Sequence, residues 1–406
     1  MSDWSRRKFI ATTGAAALAG CKTAETAQTP ATGTDVGSTD TGTTGAADTA
    51  APTDAGTDTP PPTPDTGPDV ADAGPPIPPD AILLGVARGD VDVEAAVRKA
   101  IALAGGLDFV KGKTVFIKPN CVYPSLEGFP GVATSPAVLA AVVKVTKEAG
   151  AKHITVGDRA ARWFTSADAF DGTGQGAAAL AAGADAIFPA PRPKEKPEEW
   201  LTLKPAHYDE TWKDDVKKVD GVLAMKRLVE AEVVINVPVC KNHRWAVFSL
   251  AMKNYIGGVG DESRDVMHYQ KDFGKMLSRD IAILNQMFHT EFCVLDAWTA
   301  LVQGGPEGVG DDRALTEPHL IVACKDRLAF DAFGVSLLKR ELGRATIAKK
   351  DPLFDTLNDT MPWKMPQILY GIALGIGTPG PEKVHILWDG VPEDDRKALE
   401  TVFRKV

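Results

Sequence analysis

Cysteine is scarce in this sequence, with five residues among 406 and no C-x-x-C pair. Zinc fingers and ferredoxin-type clusters depend on closely spaced cysteines, so this spacing gives neither a sequence-local zinc site nor an iron–sulfur cluster any support. The G-x-S-x-G, H-E-x-x-H and paired-carboxylate signatures of common hydrolases and zinc proteases are also missing. Long apolar runs are absent too, since the stretch from Ile368 to Ile376 is too short to span a bilayer and contains two glycines.

Positive charge is not concentrated anywhere along the chain, and the formal net charge is −9. Proteins that bind nucleic acid usually carry a basic stripe, or aromatic side chains interleaved with basic ones. Neither pattern occurs here. We therefore expect no nucleic-acid partner.

The N-terminal stretch has the layout of a bacterial export signal. Arg6 and Arg7 precede a weakly apolar run from Ala11 to Gly20, as in a twin-arginine signal. The run ends in Leu-Ala-Gly-Cys, which resembles a lipobox with Cys21 as the lipidated residue. We predict a signal over 1–21, export by the twin-arginine machinery, and a lipid anchor that holds the protein at the periplasmic side of the cell envelope. A plain N-terminal helix with an incidental cysteine is the alternative.

Residues 22–79 are dominated by Thr, Ala, Pro, Gly and Asp, with almost no large apolar side chain. Such a composition buries too little surface to offset the entropy lost on ordering. We therefore predict a disordered tether, with an end-to-end distance on the order of 40 Å.

Residues 80–406 alternate between strand-like and helix-like segments, which predicts one α/β domain. Its short, wholly apolar strands favour a mostly parallel central sheet with helices on both faces. Residues 189–218, rich in proline and charge, are predicted to form a surface excursion. The predicted strands are 81–85, 113–118, 153–156, 221–228, 232–239, 292–295, 318–323 and 383–388, and the predicted helices are 91–103, 136–150, 171–183, 277–288 and 328–342.

Polar side chains follow several of these strands directly. Ligands of open α/β sheets bind outside the carboxyl ends of the strands, so we expect these side chains to converge at one edge. Lysines there suit a carboxylate, a phosphate or a lowered-pKa amine, while a histidine suits a proton carrier, a metal ligand or a structural role. The aspartates suit bases, metal ligands or helix N-caps. The strand ends concerned are Lys118 with Asn120, Asp158 with Arg159, Lys241 with Asn242 and His243, Asp296, and Lys325 with Asp326.

After His243, apolar residues recur at helical spacing, which predicts the buried face of a helix. Lys253 and Asn254 would lie in its last turn, either as site residues or as an ordinary helix end before two glycines. The glycine-rich loop at 303–310 lacks the lysine and hydroxyl of a phosphate-binding loop, so we interpret it only as a loop that flanks a ligand. The apolar residues of the predicted helix face are Trp245, Phe248, Met252 and Tyr255.

Two cysteines, Cys121 and Cys240, each follow or end a predicted strand beside a lysine. If the two strands are neighbours, the thiols could form a disulfide or, with His243, a soft metal site. The alternative is two small buried residues. Cys293 and Cys324 lie in apolar strands and are interpreted as buried, inert thiols.

In order along the chain, a series of short motifs resembles the domain of unknown function 362 family. The resemblance runs from about Ile82 to Leu342 and implies a shared site at these positions, but it names no reaction. Some members carry an added ferredoxin-like segment with iron–sulfur clusters. This chain has no such cysteine-rich segment, so no cluster is carried over. The motifs are Ile117-Lys-Pro-Asn120, Val156-Gly157-Asp158, Ile235-Asn-Val-Pro-Val239 with Lys241 and His243, Met252-Lys-Asn254 with Gly257, Leu295-Asp296, Gly305-Pro306-Glu307-Gly308 and Ala329-Phe330-Asp331.

These observations predict an exported lipoprotein with a site at the strand ends. The favoured function is an enzyme or cofactor-binding protein that acts on an anionic small molecule, with a metal at Cys121, Cys240 and His243 as one option. A non-catalytic tethered binding module and a structural envelope protein are the alternatives. The predicted site residues are Lys118, Asn120, Asp158, Lys241, His243, Lys253, Asn254 and Asp296.

Overall fold

The structure is a computed structural model that describes residues 77–127, 129–207, 221–268, 275–306 and 312–406. The predicted signal, the lipobox and nearly all of the predicted tether lie outside the described residues. So do 208–218 of the predicted surface excursion and 307–310 of the glycine-rich loop. No helix in the described ranges is both long and apolar enough to cross a membrane.

One sheet of eleven strands runs through the described part of the chain. Two further strands, β5 and β6, form a small separate antiparallel sheet. The strands are β1 (Ile82–Arg88), β2 (Thr114–Pro119), β3 (His153–Asp158), β4 (Ala186–Pro189), β5 (Trp200–Leu203), β6 (Val222–Met225), β7 (Val233–Val237), β8 (Val239–His243), β9 (Val247–Ser249), β10 (Phe292–Gln303), β11 (Ala314–Thr316), β12 (Leu320–Cys324) and β13 (Val384–Asp389).

Helices connect these strands and cover the sheet. Short 3₁₀ turns occur at Asp108–Val110, Pro197–Glu199, Tyr255–Gly258 and Pro362–Lys364. The α-helices are α1 (Val93–Leu103), α2 (Pro136–Glu148), α3 (Ser166–Thr173), α4 (Gln175–Ala181), α5 (Lys226–Val229), α6 (Ala251–Asn254), α7 (Asp261–His268), α8 (Lys275–Leu284), α9 (Arg327–Leu342), α10 (Phe354–Asp359), α11 (Pro366–Ala373) and α12 (Glu393–Phe403).

The strand order along the main sheet is β13-β1-β12-β10-β7-β2-β3-β4. From β10 to β4 every neighbouring pair is parallel, whereas β12 runs antiparallel to both β10 and β1. Parallel strands need covered faces, and the wholly buried β7 shows that they have them. The predicted mostly parallel α/β sheet is confirmed.

Hydrophobic cores lie on both faces of this sheet. Successive side chains of β2 alternate between them: Phe116 belongs to one buried cluster, and Val115 and Ile117 belong to the other. The second cluster also contains α1 and α2, while α9 packs in the first. At about 25 cal/mol per Å² of apolar surface, burial on both faces fixes the strand register and hence the positions of the strand ends.

Helix α2 begins as predicted. The Ser135 hydroxyl accepts a hydrogen bond from Val138 N at 3.2 Å, and Pro136 occupies the first helical position. The helix predicted at 171–183 is instead two helices, α3 and α4, because Gly174 takes a left-handed conformation with φ 74° between them.

The helix predicted from Trp245 to Tyr255 is wrong. Strand β8 turns back into β9, pairing Lys241 with Ser249, and only the four residues of α6 are helical. Burial of Phe248, Met252 and Tyr255 is nevertheless confirmed. An apolar spacing of three and four residues therefore marked the core correctly without marking a helix.

Candidate functional site at the strand ends

An ion pair lies at the ends of β2 and β3. Lys118 Nζ is 2.7 Å from Asp158 Oδ1, and both side chains are almost completely buried. The second carboxylate oxygen of Asp158 accepts a hydrogen bond from Cys121 N at 2.8 Å. Burial lowers the pKa of the Lys118 ammonium, and the nearby Asp158 charge opposes that shift. The pair is thus a charged group in a dry environment, held by two adjacent parallel strands.

The backbone of Gly257 covers this ion pair. A Cβ at Gly257 would lie 2.0 Å from Asp158 Oδ1 and 2.7 Å from Lys118 Nζ, so no side chain fits there. Gly257 O also accepts a hydrogen bond from Arg159 N at 3.1 Å. The glycine after α6 is therefore required by a close approach of backbone to charge.

Three asparagines form a chain of hydrogen bonds beside the ion pair. Asn254 Nδ2 donates to Asn236 Oδ1 at 2.7 Å, and Asn254 Oδ1 accepts from Asn120 Nδ2 at 3.1 Å. Asn120 Oδ1 accepts in turn from Lys241 Nζ at 3.2 Å, and Lys241 also donates to Val132 O. The strand-end cluster, as we call it, therefore joins β2, β3, β7, β8 and α6. It consists of Lys118, Asn120, Asp158, Asn236, Lys241 and Asn254.

The loop that follows Asn120 is tied down over this cluster. Asn120 N donates to Thr134 Oγ1 at 2.9 Å, and the Thr134 hydroxyl donates to Val237 O at 2.7 Å. Gln175 Nε2 donates to Asn120 O at 3.0 Å and to Thr134 O at 2.7 Å. These bonds fix the loop against β7 and α4.

His243 ends β8 on the same face of the strand as Lys241. Its Nδ1 accepts hydrogen bonds from Trp245 N and Ala246 N, both at 3.2 Å, so the ring proton is on Nε2. Burial and, after it, the nearby positive charges of Lys253 and Lys241 hold the pKa of His243 well below its usual 6.5. The imidazole is therefore neutral near pH 7 and has a donor at Nε2. Asn242 points to the opposite face, where its side chain binds Gly305 N at 2.8 Å.

Helix α7 brings further positive charge to the same region. The Arg264 guanidinium donates to Val259 O and Ala160 O, both at 2.7 Å, and to Arg159 O at 3.0 Å. Burial lowers its pKa to about 10, and the Arg159 charge adds to that shift. Burial and the Lys253 charge likewise lower the pKa of His268 to about 4. The Lys253 charge therefore adds to burial in lowering the pKa of both His243 and His268.

The Asp296 carboxylate binds backbone amides outside the strand-end cluster. Its carboxylate accepts hydrogen bonds from Ser135 N at 2.6 Å and from Trp298 N at 3.2 Å. It therefore anchors the start of α2 rather than the lysines, and burial raises its pKa. The capping alternative describes this residue better than a role as a catalytic base.

Lys325 and Asp326 lie at the other edge of the sheet. Strand β12 is antiparallel to β10, so Cys324 pairs with Cys293 near the beginning of β10 and the end of β12 points away from the site. The Asp326 carboxylate caps α9 through Leu328 N and Ala329 N. The expectation that this strand end joins the others is wrong, because its strand runs in the opposite direction.

The predicted metal site at Cys121, Cys240 and His243 is not assembled. Within the described ranges, no group of three His, Cys, Asp or Glu side chains is placed to hold a metal ion. Cys121 and Cys240 are free and belong to different hydrophobic clusters, one on each face of the sheet. Burial raises the pKa of both thiols well above 9.0, which opposes the thiolate that a metal needs. The donor set does not fit a metal, and the expectation that the thiols share one crevice is wrong.

Several residues of this region escaped the sequence analysis as site residues, namely Thr134, Gln175, Asn236, Arg264 and His268. Asn236 carried the clearest signal, since it is a lone amide inside the apolar strand β7 and such groups are buried only with partners. Arg264 and His268 had no signal, because α7 reaches the site only through the three-dimensional fold.

Comparisons with known proteins place the chain as follows. The profile of the family described as Domain of unknown function (DUF362) matches residues 115–336. A thylakoid-associated protein of Synechocystis sp. is 26% identical over 306 residues, which cover 70% of this chain and 86% of that protein. Among solved structures, the lactate racemase apoprotein from Thermoanaerobacterium thermosaccharolyticum matches with a TM-score of 0.34 and 13% identity over 54% of this chain. The chain spans about half of that structure, 52%.

Proposed function

Because this chain belongs to the family described as Domain of unknown function (DUF362), whose profile covers more than half of it, we propose that the strand-end cluster is part of a functional site. We propose that this site binds an anionic small molecule and that the protein is an enzyme acting on it by proton transfer. The observation that carries the proposal is that two buried lysines, Lys241 and Lys253, act on the neutral His243.

The anion is the ligand that this electrostatic environment favours. Lys241 and Lys253 are both buried, and the positive charge of each adds to burial in lowering the pKa of His243. A carboxylate or phosphate oxygen would be stabilised in that field, more strongly than in water because the surroundings are dry.

The two groups suited to proton transfer differ in their protonation. His243 is neutral and presents an Nε2 donor, which suits a group that polarises or donates to a substrate oxygen. Lys118, whose pKa is lowered by burial, suits a group that exchanges a proton with its surroundings or with Asp158. Burial lowers the pKa of both groups, and buried groups with shifted pKa values are typical of acid–base sites.

We also propose that the protein works outside the cytoplasmic membrane, anchored through a lipid at Cys21 after export by the twin-arginine machinery. The support is the signal-like stretch at 1–21 and a relative that is named as thylakoid-associated, which is a membrane location. Labelling with a radioactive fatty acid, with Cys21→Ser as control, tests the anchor. Labelling of both forms, or of neither, would refute it.

Binding is tested by calorimetric titration with phosphate, sulfate and oxalate. Lys241→Met removes one buried charge from the site. Lys339→Met is the matched control, because Lys339 lies in α9, away from the cluster residues, and also donates to backbone carbonyls, those of Leu357 and Thr360. We expect Lys241→Met to weaken binding at least tenfold and Lys339→Met to leave it unchanged. Equal effects of the two variants, or no binding by the unaltered protein, would overturn the anion site.

Turnover separates an enzyme from a tethered binding module. The protein is incubated in D₂O with a panel of small carboxylic acids and phosphate esters, chosen from the class of anion that binds. Proton NMR then follows each compound. Deuterium incorporation or product formation that is lost in His243→Ala supports the enzyme. Saturable binding without exchange across the panel supports the binding module instead, and absence of both supports a structural role.

A further inference from the structure

The four residues of α6 carry two members of the proposed site, Lys253 and Asn254. So short a helix is not stable by itself, and its position depends on what holds its ends. No side chain of α6 caps its own N-terminus. The question is therefore which residues elsewhere in the fold fix it.

Asp331 of α9 binds the beginning of α6. Its Oδ1 accepts a hydrogen bond from Ala251 N at 2.7 Å, and its Oδ2 accepts one from Met252 N at 3.1 Å. The carboxylate is completely buried among apolar side chains of α9. Burying a carboxylate costs free energy unless hydrogen bonds compensate for the lost water. For Asp331 these hydrogen bonds come from two amides of α6.

A second contact fixes the same helix from α8. Asn285 Nδ2 donates to Met252 O at 3.0 Å, and Arg327 donates to Asn285 Oδ1 at 2.9 Å. Arg327 lies one helical turn before Asp331 on α9. Both contacts therefore lead back to α9, which holds α6 at its amides and at a carbonyl.

We infer that Asp331 is a positioning residue for the proposed site: it touches no ligand itself but sets the place of Lys253 and Asn254 through the amides of α6. This inference rests on the proposed function for its consequence on ligand binding. The expected effect of Asp331 on the backbone of α6 does not depend on the proposed function.

Protonation of Asp331 would alter the contact. Burial raises the pKa of this carboxyl from 3.8 to about 7, while the Ala251 and Met252 amides and the Arg327 charge oppose that shift. The charged and titratable groups around it are Arg327 and Asp326 on α9 and Cys293 on β10. Below about pH 7 the carboxyl is neutral and one of its oxygens is a hydroxyl, so both amides lose their charged acceptor and one of them faces the hydroxyl.

The test uses Asp331→Asn, which keeps one acceptor oxygen, and Asp331→Ala, which keeps none. Glu341→Gln is the matched control, since Glu341 is a buried acid on the same helix that forms ion pairs with Arg340 and Arg344. We expect faster amide hydrogen exchange at residues 251–254 in Asp331→Ala than in Asp331→Asn, and no change there in Glu341→Gln. Unchanged exchange in both Asp331 variants would overturn the inference.

Ligand binding gives the second readout. Sulfate is the probe because its charge is constant between about pH 6 and about pH 8. We expect the full-length protein to lose sulfate affinity as the pH falls through about 7, and Asp331→Ala to bind at least tenfold more weakly, with a flat profile. If the unaltered protein binds no anion, the proposed function fails, and the exchange experiment still decides the role of Asp331. If exchange changes but sulfate affinity does not, α6 does not position the ligand and the inference is overturned.

Discussion

The Lys118–Asp158 pair gives the sharpest test of how this site is built. Removing one member of a buried pair leaves an uncompensated charge, which typically costs about 3–5 kcal/mol of unfolding free energy. Replacing both by apolar residues of similar volume removes the two desolvation penalties together and is often neutral. The relevant variants are Lys118→Met, Asp158→Leu and the double variant.

The structure refines these magnitudes. Lys118 is 0% exposed and Asp158 is 3% exposed, so solvent does not screen the charge that is left behind. Asp158 Oδ2 also accepts the hydrogen bond from Cys121 N, and a buried amide without an acceptor costs about 1–3 kcal/mol. We expect Lys118→Met to lose about 3–5 kcal/mol. Asp158→Leu should lose the amide contribution of about 1–3 kcal/mol in addition, and the double variant should lose only that contribution.

Urea unfolding at neutral pH measures these differences. A loss of 3–5 kcal/mol corresponds to a fall in the midpoint on the order of 1–2 M for a protein of this size. Single variants that lose less than about 1 kcal/mol, a value typical of exposed pairs, would show that water reaches the pair and would refute the description of a dry site. A stable double variant that no longer binds anions would show that the pair is kept for function rather than for stability.

Three further predictions follow from the same structure. Gly257→Ala should destabilise the protein by about 1–3 kcal/mol, because its Cβ meets the ion pair, whereas Gly343→Ala, whose Cβ has no contact shorter than 3.4 Å, should be neutral or slightly stabilising in the same unfolding assay. Ser135→Ala should cost about 1 kcal/mol in thermal unfolding through loss of the α2 cap. Burial raises the pKa of Asp331 to about 7 in the folded state, so the fold favours the protonated carboxyl. The stability that this form contributes is present at low pH and is lost as the pH rises through 7. Relative to the unaltered protein, Asp331→Asn should therefore gain about 4 kcal/mol of unfolding free energy between about pH 4 and about pH 8.

The sequence predicted the sheet well because the parallel strands are buried on both faces. A short apolar run such as the one in β7 is typical of a strand that is buried on both faces. Ser135 followed by Pro136 is typical of the start of a helix, and α2 begins there. Such signals are local, because they depend on neighbouring residues in the sequence and not on tertiary contacts. The β8–β9 hairpin was missed for the opposite reason, since its residues pair through tertiary contacts and their apolar spacing also fits a helix.

Strand direction explains which site predictions failed. A polar residue after a strand looks the same whether the strand is parallel or antiparallel to its neighbours, so Lys325 and Asp326 could not be separated from Lys118 by sequence alone. Asp296 lies within β10, level with Val239 of β8, but its carboxylate accepts a hydrogen bond from the backbone at the start of α2. Position at an edge is therefore necessary for a site residue and not sufficient.

The stronger signal was a polar residue where burial is certain. Asn236 lies in the middle of a wholly buried strand and Asp331 within a wholly buried stretch of α9, so each must have a partner in the fold. Their partners, Asn254 in the first case and the amides of Ala251 and Met252 in the second, all belong to one short helix, α6. Since burying an amide and a carboxylate costs free energy that an apolar pair would not, a fold under selection for stability alone has no reason to hold α6 in this way. A requirement on the position of Lys253 and Asn254 supplies that reason.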